Sequence, residues 1–263
     1  MIETITILGG YGKSGEPEVV RRLDLRMGDV VSIVGPTGSG KTTLINDIEL
    51  FADANTPTGR RILINGERPP AEYRDDPARN PIALITQHTT FLSDMPVEDF
   101  LLTHARIRSA AGRQTTDLLE RTLWFANQLT GEPILVASRM TELSGGQTRA
   151  LLIADATIIC NTPIVLLDEV ENAGIHRSRA LELLRGYRKI FIFVTHDPRI
   201  ALLSDYRLVM QCGLVTQVLY TNEEERRFAV KVSQLDDLLS RLRDQMRQGH
   251  RLAAPELEAW ICK

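Results

Sequence analysis

Val30-Val31-Ser32-Ile33-Val34-Gly35-Pro36-Thr37-Gly38-Ser39-Gly40-Lys41-Thr42-Thr43 is the stretch that decides the fold. An apolar, β-branched run breaks into a glycine-rich turn, and Lys41 then opens the helical pattern KTTLINDIELF. Residues 35–42 satisfy G-x-x-x-x-G-K-[ST] in the strand–loop–helix setting that the motif requires. Glycines let backbone N–H groups turn inward around phosphate oxygens, and a helix N-terminus adds a dipole favourable to anions. Lys41 is placed to reach the β- and γ-phosphates of a nucleotide, and the Thr42 hydroxyl to hold Mg2+. A second Gly-Lys-Ser at residues 12–14 mimics the end of the motif, but Ile7 stands where its first glycine belongs. It is rejected.

Outward from this loop, short β-rich runs alternate with helical patterns, which predicts an α/β fold with a largely parallel sheet. Candidate strands are 2–8, 30–34, 62–64, 83–86, 164–167, 190–195, 207–210 and 215–220. Two of them, 164–167 and 190–195, are almost wholly apolar, as strands covered on both faces should be. From about 96 to 131 the strand signal vanishes, so a helical subdomain is inserted into the α/β core. Residues 68–81 (RPPAEYRDDPARNP) are rich in proline and charge and read as a surface loop. After Asn222 the chain turns charged and helical. Ser233 is a candidate cap for a helix with apolar Leu235, Leu238, Leu239, Leu242 and Met246, and Gly249 a candidate end. Such a helix either packs on its own domain or serves as a docking or dimer helix.

Composition narrows the function classes. A chain of 263 residues with 43% hydrophobic and 25% charged content is an ordinary globular protein. The net charge of −3 offers no basic field for nucleic acid. The greasiest stretch, 151–170, is interrupted by Asp155, Asn161 and Pro163, so no membrane span is expected. MIETITILGG begins like a strand and lacks the basic and apolar regions of a signal peptide. Cys160, Cys212 and Cys262 are far apart, which argues against a disulfide framework and for a reducing cytoplasm.

Two further constellations follow the loop. Ile164-Val165-Leu166-Leu167-Asp168-Glu169 carries two acids to the C-terminal end of a buried strand, where open α/β sheets bind ligands. Asp168 suits Mg2+, held through water, and Glu169 suits polarisation of the water that attacks a γ-phosphate. Between loop and acids, Leu143-Ser144-Gly145-Gly146-Gln147 opens another helical pattern. Five specified residues arise by chance roughly once per million positions at ordinary frequencies.

This pentapeptide resembles the signature motif of ATP-binding-cassette (ABC) ATPases, and the resemblance covers roughly residues 2–221. It implies a P-loop NTPase core with a mainly parallel sheet, an antiparallel β portion and an inserted helical subdomain. On that reading residues 1–221 form the cassette, with the helical subdomain at about 88–142, and 222–263 form a C-terminal helical extension. ATP and Mg2+ are the implied ligands. Gly35 to Thr43 would cradle the phosphates. Ser144, Gly145, Gly146 and Gln147 would contact the γ-phosphate held by the opposite protomer of a head-to-tail dimer. Gln87, ending the pattern ALITQ, matches the Q-loop glutamine that senses Mg2+ and water. His196, in FVTHD, matches the H-loop histidine on the γ-phosphate. Tyr11 is placed like the aromatic residue that stacks on adenine. Phe91, Met95, Val97 and Phe100 resemble the segment that meets a transporter's coupling element. The catalytic set would be Glu169, His196 and Gln87, and the metal set Thr42, Gln87 and Asp168.

Departures are also visible. Residues 170–175, Val-Glu-Asn-Ala-Gly-Ile, lack the D-loop aspartate, and Ala150 stands where arginine is usual. The interval from Asp168 to His196 (196 − 168 = 28) is short for the family. The leading expectation is the ATPase subunit of a membrane transporter, working as a dimer of cassettes, most simply a homodimer, and held at the membrane by a permease. The alternatives are a soluble accessory ATPase that remodels a cytosolic complex, and a sensing module that binds nucleotide but hardly hydrolyses it. Only 144 − 87 = 57 residues separate Gln87 from Ser144, too few for the long coiled coils of DNA-repair relatives.

Overall fold

The computed structural model describes residues 1–86, 88–91, 94–108, 115–169 and 177–251. Gln87, the D-loop segment 170–176 and the tail 252–263 with Cys262 lie outside the described residues.

A six-stranded sheet forms the centre, in the order β5 (Ile82–Ile85), β6 (Ile164–Asp168), β7 (Ile190–Val194), β3 (Val30–Val34), β8 (Tyr206–Gln211), β9 (Leu214–Tyr220). Strands β5 to β8 run parallel, and β9 returns antiparallel to β8 as an edge hairpin. A separate antiparallel sheet joins β2 (Arg22–Arg26), β1 (Thr4–Leu8) and β4 (Arg61–Ile64). The helices in chain order are α1 (Lys41–Glu49), the short α2 (Glu72–Asp75), α3 (Val97–Arg108), α4 (Thr115–Leu129) and α5 (Gly145–Ile158). They continue with α6 (Arg177–Arg185), α7 (Pro198–Leu203) and α8 (Glu223–Arg247).

Period-two alternation explains why the central strands are apolar throughout. Val165 and Leu167 of β6, with Phe191 and Phe193 of β7, enter a core that also takes residues from α3, α4, α5 and α6. Their neighbours Ile164, Leu166, Ile190, Ile192 and Val194 enter a second core with α1 and the antiparallel sheet. The parallel sheet is therefore covered on both faces, by a helical layer on one side and by α1 with the β1–β2–β4 sheet on the other.

Three sequence expectations are corrected. Strand β2 reads RLDLR; only Leu23 and Leu25 face inward, and alternating charge hid the strand. The C-terminal helix starts at Glu223, ten residues before the expected cap, so Ser233 lies inside it. Asn222 does the capping instead: Glu225 N donates to its Oδ1 at 2.8 Å, and Asn222 N donates back to Glu225 Oε2 at 3.4 Å. Val97, expected near a coupling surface, is fully buried, and Phe100 packs edge-on against Phe91 with centroids 5.0 Å apart. Those side chains hold α3 to the core. The expected end of α8 is sound, because Gly249 takes a left-handed φ of 76° just past Arg247. Helix α8 docks on α7 with an Arg199–Asp236 pair between them and Ala229 buried, while Leu235, Leu239 and Met246 stay exposed. No helix among the described residues is long and apolar enough to cross a membrane.

Candidate nucleotide site

The site is assembled at the C-terminal ends of the parallel strands, around β3 and its neighbours. Strand β3 delivers the glycine loop, and Gly40 caps α1 with a left-handed φ of 100°. Gly38, at φ 77°, and Gly35, at φ 156°, are the other loop positions that only glycine takes without strain. Close approach dictates glycine as well. A Cβ on Gly35 would lie 2.4 Å from Met210 O, and one on Gly40 would lie 2.9 Å from Gly213 Cα. The loop is thus wedged against the β8–β9 hairpin.

Lys41 is only 7% exposed, and its Nζ donates to the loop's own carbonyls, Gly35 O at 3.0 Å and Pro36 O at 3.2 Å. A buried ammonium already coiled over a ring of backbone is preorganised to receive phosphate oxygens. Ser39 Oγ is buried without a hydrogen-bond partner, an unsatisfied polar atom inside the same loop. Both features fit an anion between residues 35 and 43.

Asp168 ends β6 and pairs in register with Val194 of β7. Glu169 follows with a left-handed φ of 51°, held by its N–H donating to Val194 O at 3.0 Å. That conformation is costly for a residue with a Cβ, and such strain clusters at functional sites. It brings Glu169 Oε1 to 3.8 Å from His196 Nε2, just beyond the end of β7. The neighbouring Thr195 N–H donates to Ile33 O at 3.2 Å, tying this corner to β3. One carboxylate and one imidazole therefore meet beside the strand that bears the loop. Of the residues expected here, Gln87 alone lies outside the described residues; β5, which precedes it, pairs with β6.

Tyr11 sits 56% exposed on a turn, its N–H donating to Thr58 O at 2.7 Å and its ring lying against Gly59. Two residues absent from the sequence-based set join this turn to the phosphate loop. Lys13, in the rejected Gly-Lys-Ser, donates from Nζ to Gly38 O at 2.7 Å. Arg60, wholly buried, donates to Glu18 Oε1 at 2.8 Å, to Asp47 Oδ2 at 3.0 Å and to Gly213 O at 2.7 Å. Burial opposes its charge, but the hydrogen bonds and charges of Glu18 and Asp47 outweigh that and hold its pKa above the ordinary value. Glu18 also accepts from Gly10 N at 3.0 Å and Val215 N at 2.6 Å. The Tyr11 turn, α1 and the β8–β9 hairpin thus share one buried ionic knot.

The second helix N-terminus lies apart from this cluster. Ser144 caps α5: Gln147 N donates to Ser144 Oγ at 3.3 Å, and Ser144 N donates to Gln147 Oε1 at 2.9 Å. Gln147 Nε2 donates to Pro133 O at 3.2 Å, so the hydrogen bonds of these two residues stay within 132–148.

Comparison with known proteins agrees with this geometry. The ABC transporter family model matches residues 21–172. An uncharacterised ABC transporter ATP-binding protein of Methanocaldococcus jannaschii is 46% identical over 99% of this chain and 98% of its own length. A sulfate/thiosulfate import ATP-binding protein of Agrobacterium fabrum is 32% identical over 74% of this chain, which spans 57% of that relative. Among solved structures, cbiO1 from Clostridium perfringens, part of the ABC transporter complex cbiONQ, aligns with a TM-score of 0.63. That match is 21% identical and covers 94% of this chain and all of the other. A dimeric ATP-binding cassette in a post-hydrolysis state, bound to ADP and phosphate, aligns with a TM-score of 0.62 at 20% identity over 83% of this chain and 99% of its own. These structural likenesses bear on the fold. The family rests on the sequence matches, and ATP hydrolysis is its general activity. The chain belongs to the ABC transporter family, as one of its ATP-binding, ATP-hydrolysing cassettes.

Proposed function

We propose that the chain is the ATPase subunit of a membrane transporter, binding MgATP between two cassettes and using hydrolysis to drive a permease. The observation that carries the catalytic part is the Glu169–His196 contact of 3.8 Å at the ends of adjacent parallel strands, beside the glycine loop. Tyr11 stacks on the adenine, and residues 35–43 hold the phosphates through backbone N–H groups and the Lys41 ammonium. Thr42, Asp168 and Gln87 would be the oxygen donors for Mg2+, a hard cation suited to such ligands, which would neutralise phosphate charge. Glu169 orients and polarises the attacking water, and His196 donates to the γ-phosphate as charge builds on it. Positioning and electrostatics carry most of such a reaction.

Ser144, Gly145, Gly146 and Gln147 act on the nucleotide of a second copy. Among the described residues, the side-chain hydrogen bonds of Ser144 and Gln147 stay within residues 132–148, which supports a role toward a partner rather than toward the chain's own loop. Cassette relatives named as transporter components favour the transporter reading over a soluble accessory ATPase. On that reading the cassette works at the cytoplasmic face of the membrane, through its permease. The test has two arms. Lys41→Ala should lose nucleotide affinity by at least roughly tenfold, since a buried charge-assisted contact is removed. The tagged native protein should co-purify from detergent-solubilised membranes with a multi-span partner. Recovery only with soluble proteins would refute the transporter assignment while leaving the ATPase intact.

A further inference from the structure

The helical layer holds a cluster that the nucleotide chemistry does not use. His104, near the end of α3, meets Asp155, in the last turn of α5, and Cys160, just beyond it. His104 Nδ1 lies 2.8 Å from Asp155 Oδ1, and Cys160 Sγ lies 3.9 Å from His104 Nε2. The thiol reaches Asp155 Oδ2 at 3.5 Å. One donor atom from each residue can be chosen so that all lie within 4.8 Å of one another.

We propose that His104, Asp155 and Cys160 form a binding site for a borderline-soft divalent transition-metal ion, with Zn2+ as its natural occupant. Tetrahedral zinc with bonds of about 2.0 Å to nitrogen or oxygen and about 2.3 Å to sulfur sets its ligands roughly 3.3–3.5 Å apart. The sulfur already stands at 3.5 Å and 3.9 Å from its two neighbours, so small rotations suffice. A thiolate, an imidazole and one carboxylate form a donor set that selects zinc-like ions over Mg2+. The ion displaces the thiol proton, and the two anionic ligands neutralise its charge. Burial and the Asp155 carboxylate push the Cys160 thiol up to about 12, Arg108 and Lys189 offsetting them only in part, so the ion binds in competition with the thiol proton. The ring of Phe100 packs beside the imidazole, with centroids 5.8 Å apart and planes tilted by 52°. His104 and Cys160 are half-buried, so the cluster is not sealed from solvent. Such an ion would clamp α3 to the end of α5 that packs on the parallel sheet, away from the nucleotide residues.

The probe is Co2+, titrated into nucleotide-free full-length protein that has been stripped with chelator. The expected result is a thiolate-to-cobalt charge-transfer band that saturates at one equivalent and is abolished by Zn2+. Cys160→Ser should remove the band, and His104→Gln or Asp155→Asn should weaken Co2+ binding by roughly tenfold or more. Cys212→Ser with Cys262→Ser should leave it intact. Should Cys160→Ser fail to fold, the other two variants, with wild-type circular dichroism, carry the test. Absence of the band overturns the proposal, leaving a hydrogen-bonded triad that needs no ion. So does a band that survives Cys160→Ser or ignores both other variants.

Discussion

Arg60→Ala removes the cation from a buried knot and leaves two carboxylates facing each other. Arg60 is 0% exposed, and the side chains of Glu18 and Asp47 are 2% and 3% exposed. After the substitution Glu18 keeps the Gly10 and Val215 N–H groups, and Asp47 keeps the Thr58 hydroxyl at 2.9 Å, but both lose their countercharge. Breaking a buried pair by removing one partner costs about 3–5 kcal/mol. At about 2–4 °C per kcal/mol for a domain of this size, Tm should fall by roughly 6–20 °C. Denaturant unfolding followed by circular dichroism gives the free energy directly, with the slope checked for a change in cooperativity.

The same knot predicts a functional effect. Glu18 holds Gly10, the residue before Tyr11, and Asp47 lies on the helix behind the phosphate loop. ATP affinity should therefore fall with stability, most of all for the adenine contact, so that inorganic phosphate inhibition changes less than ATP binding. Arg60→Lys should be intermediate, because a single ammonium cannot reproduce the fork that spans both acids. Removing all three charges together, Arg60→Met with Glu18→Gln and Asp47→Asn, should recover much of the lost stability. A loss of under about 1 kcal/mol for Arg60→Ala alone would refute the reasoning, since the carboxylates would then have other means of neutralisation.

Three further outcomes are expected. Glu169→Gln should retain ATP binding and slow steady-state hydrolysis by about 10²–10⁴-fold, while gel filtration with MgATP shows an accumulated dimer; an unchanged rate would remove Glu169 from the catalytic role. Ser144→Arg should spare ATP binding by the monomer and abolish ATP-dependent dimerisation, because it sets a cation at a helix N-terminus that must meet phosphate; wild-type turnover would exclude the signature from the site. Gly38→Ala and Gly40→Ala share a left-handed backbone strain of about 1–3 kcal/mol, but only the Gly40 variant also forces a Cβ to 2.9 Å from Gly213. ATP affinity measured by titration calorimetry should consequently fall more for Gly40→Ala.

The parts of the site that could be read from the sequence are those whose chemistry needs contiguous residues. A phosphate loop must be a strand, a glycine turn and a helix in immediate succession, so residues 30–43 declared it. The acids at the end of β6 and the histidine beyond β7 were legible because apolar runs marked the strands that deliver them. Arg60 was not legible, because its partners Glu18 and Asp47 lie 42 and 13 residues away and nothing local marks a buried arginine. Lys13 was dismissed on motif grounds, although its tether to Gly38 depends on the fold rather than on the motif. That the chain turns helical after Asn222 was legible, but the Asn222 cap was not, because the first turn, Glu223-Glu224-Glu225, has charges that suit a helix N-terminus and carries no apolar period.

The arrangement of the two helix N-termini argues for a shared rather than a private active site. Helix α1 brings its own countercharge, Lys41, and stands beside Glu169 and His196 only through β3 and its neighbours. Helix α5 has glycines at its first two positions, and the first N–H groups of any helix lack partners within it. Ser144 and Gln147 occupy each other in the capping box, and the Gln147 amide is further pinned to Pro133 O. Neither side chain has to reorganise for the Gly145 and Gly146 N–H groups to face outward. On the proposed function, an N-terminus finished in this way, with no basic side chain in its capping box, would be half of an anion site. Under the same function α1 and Lys41 would provide the other half, and in a two-fold pair each chain would supply the half that its partner lacks. That would account for a signature motif whose capping hydrogen bonds, among the described residues, stay within residues 132–148.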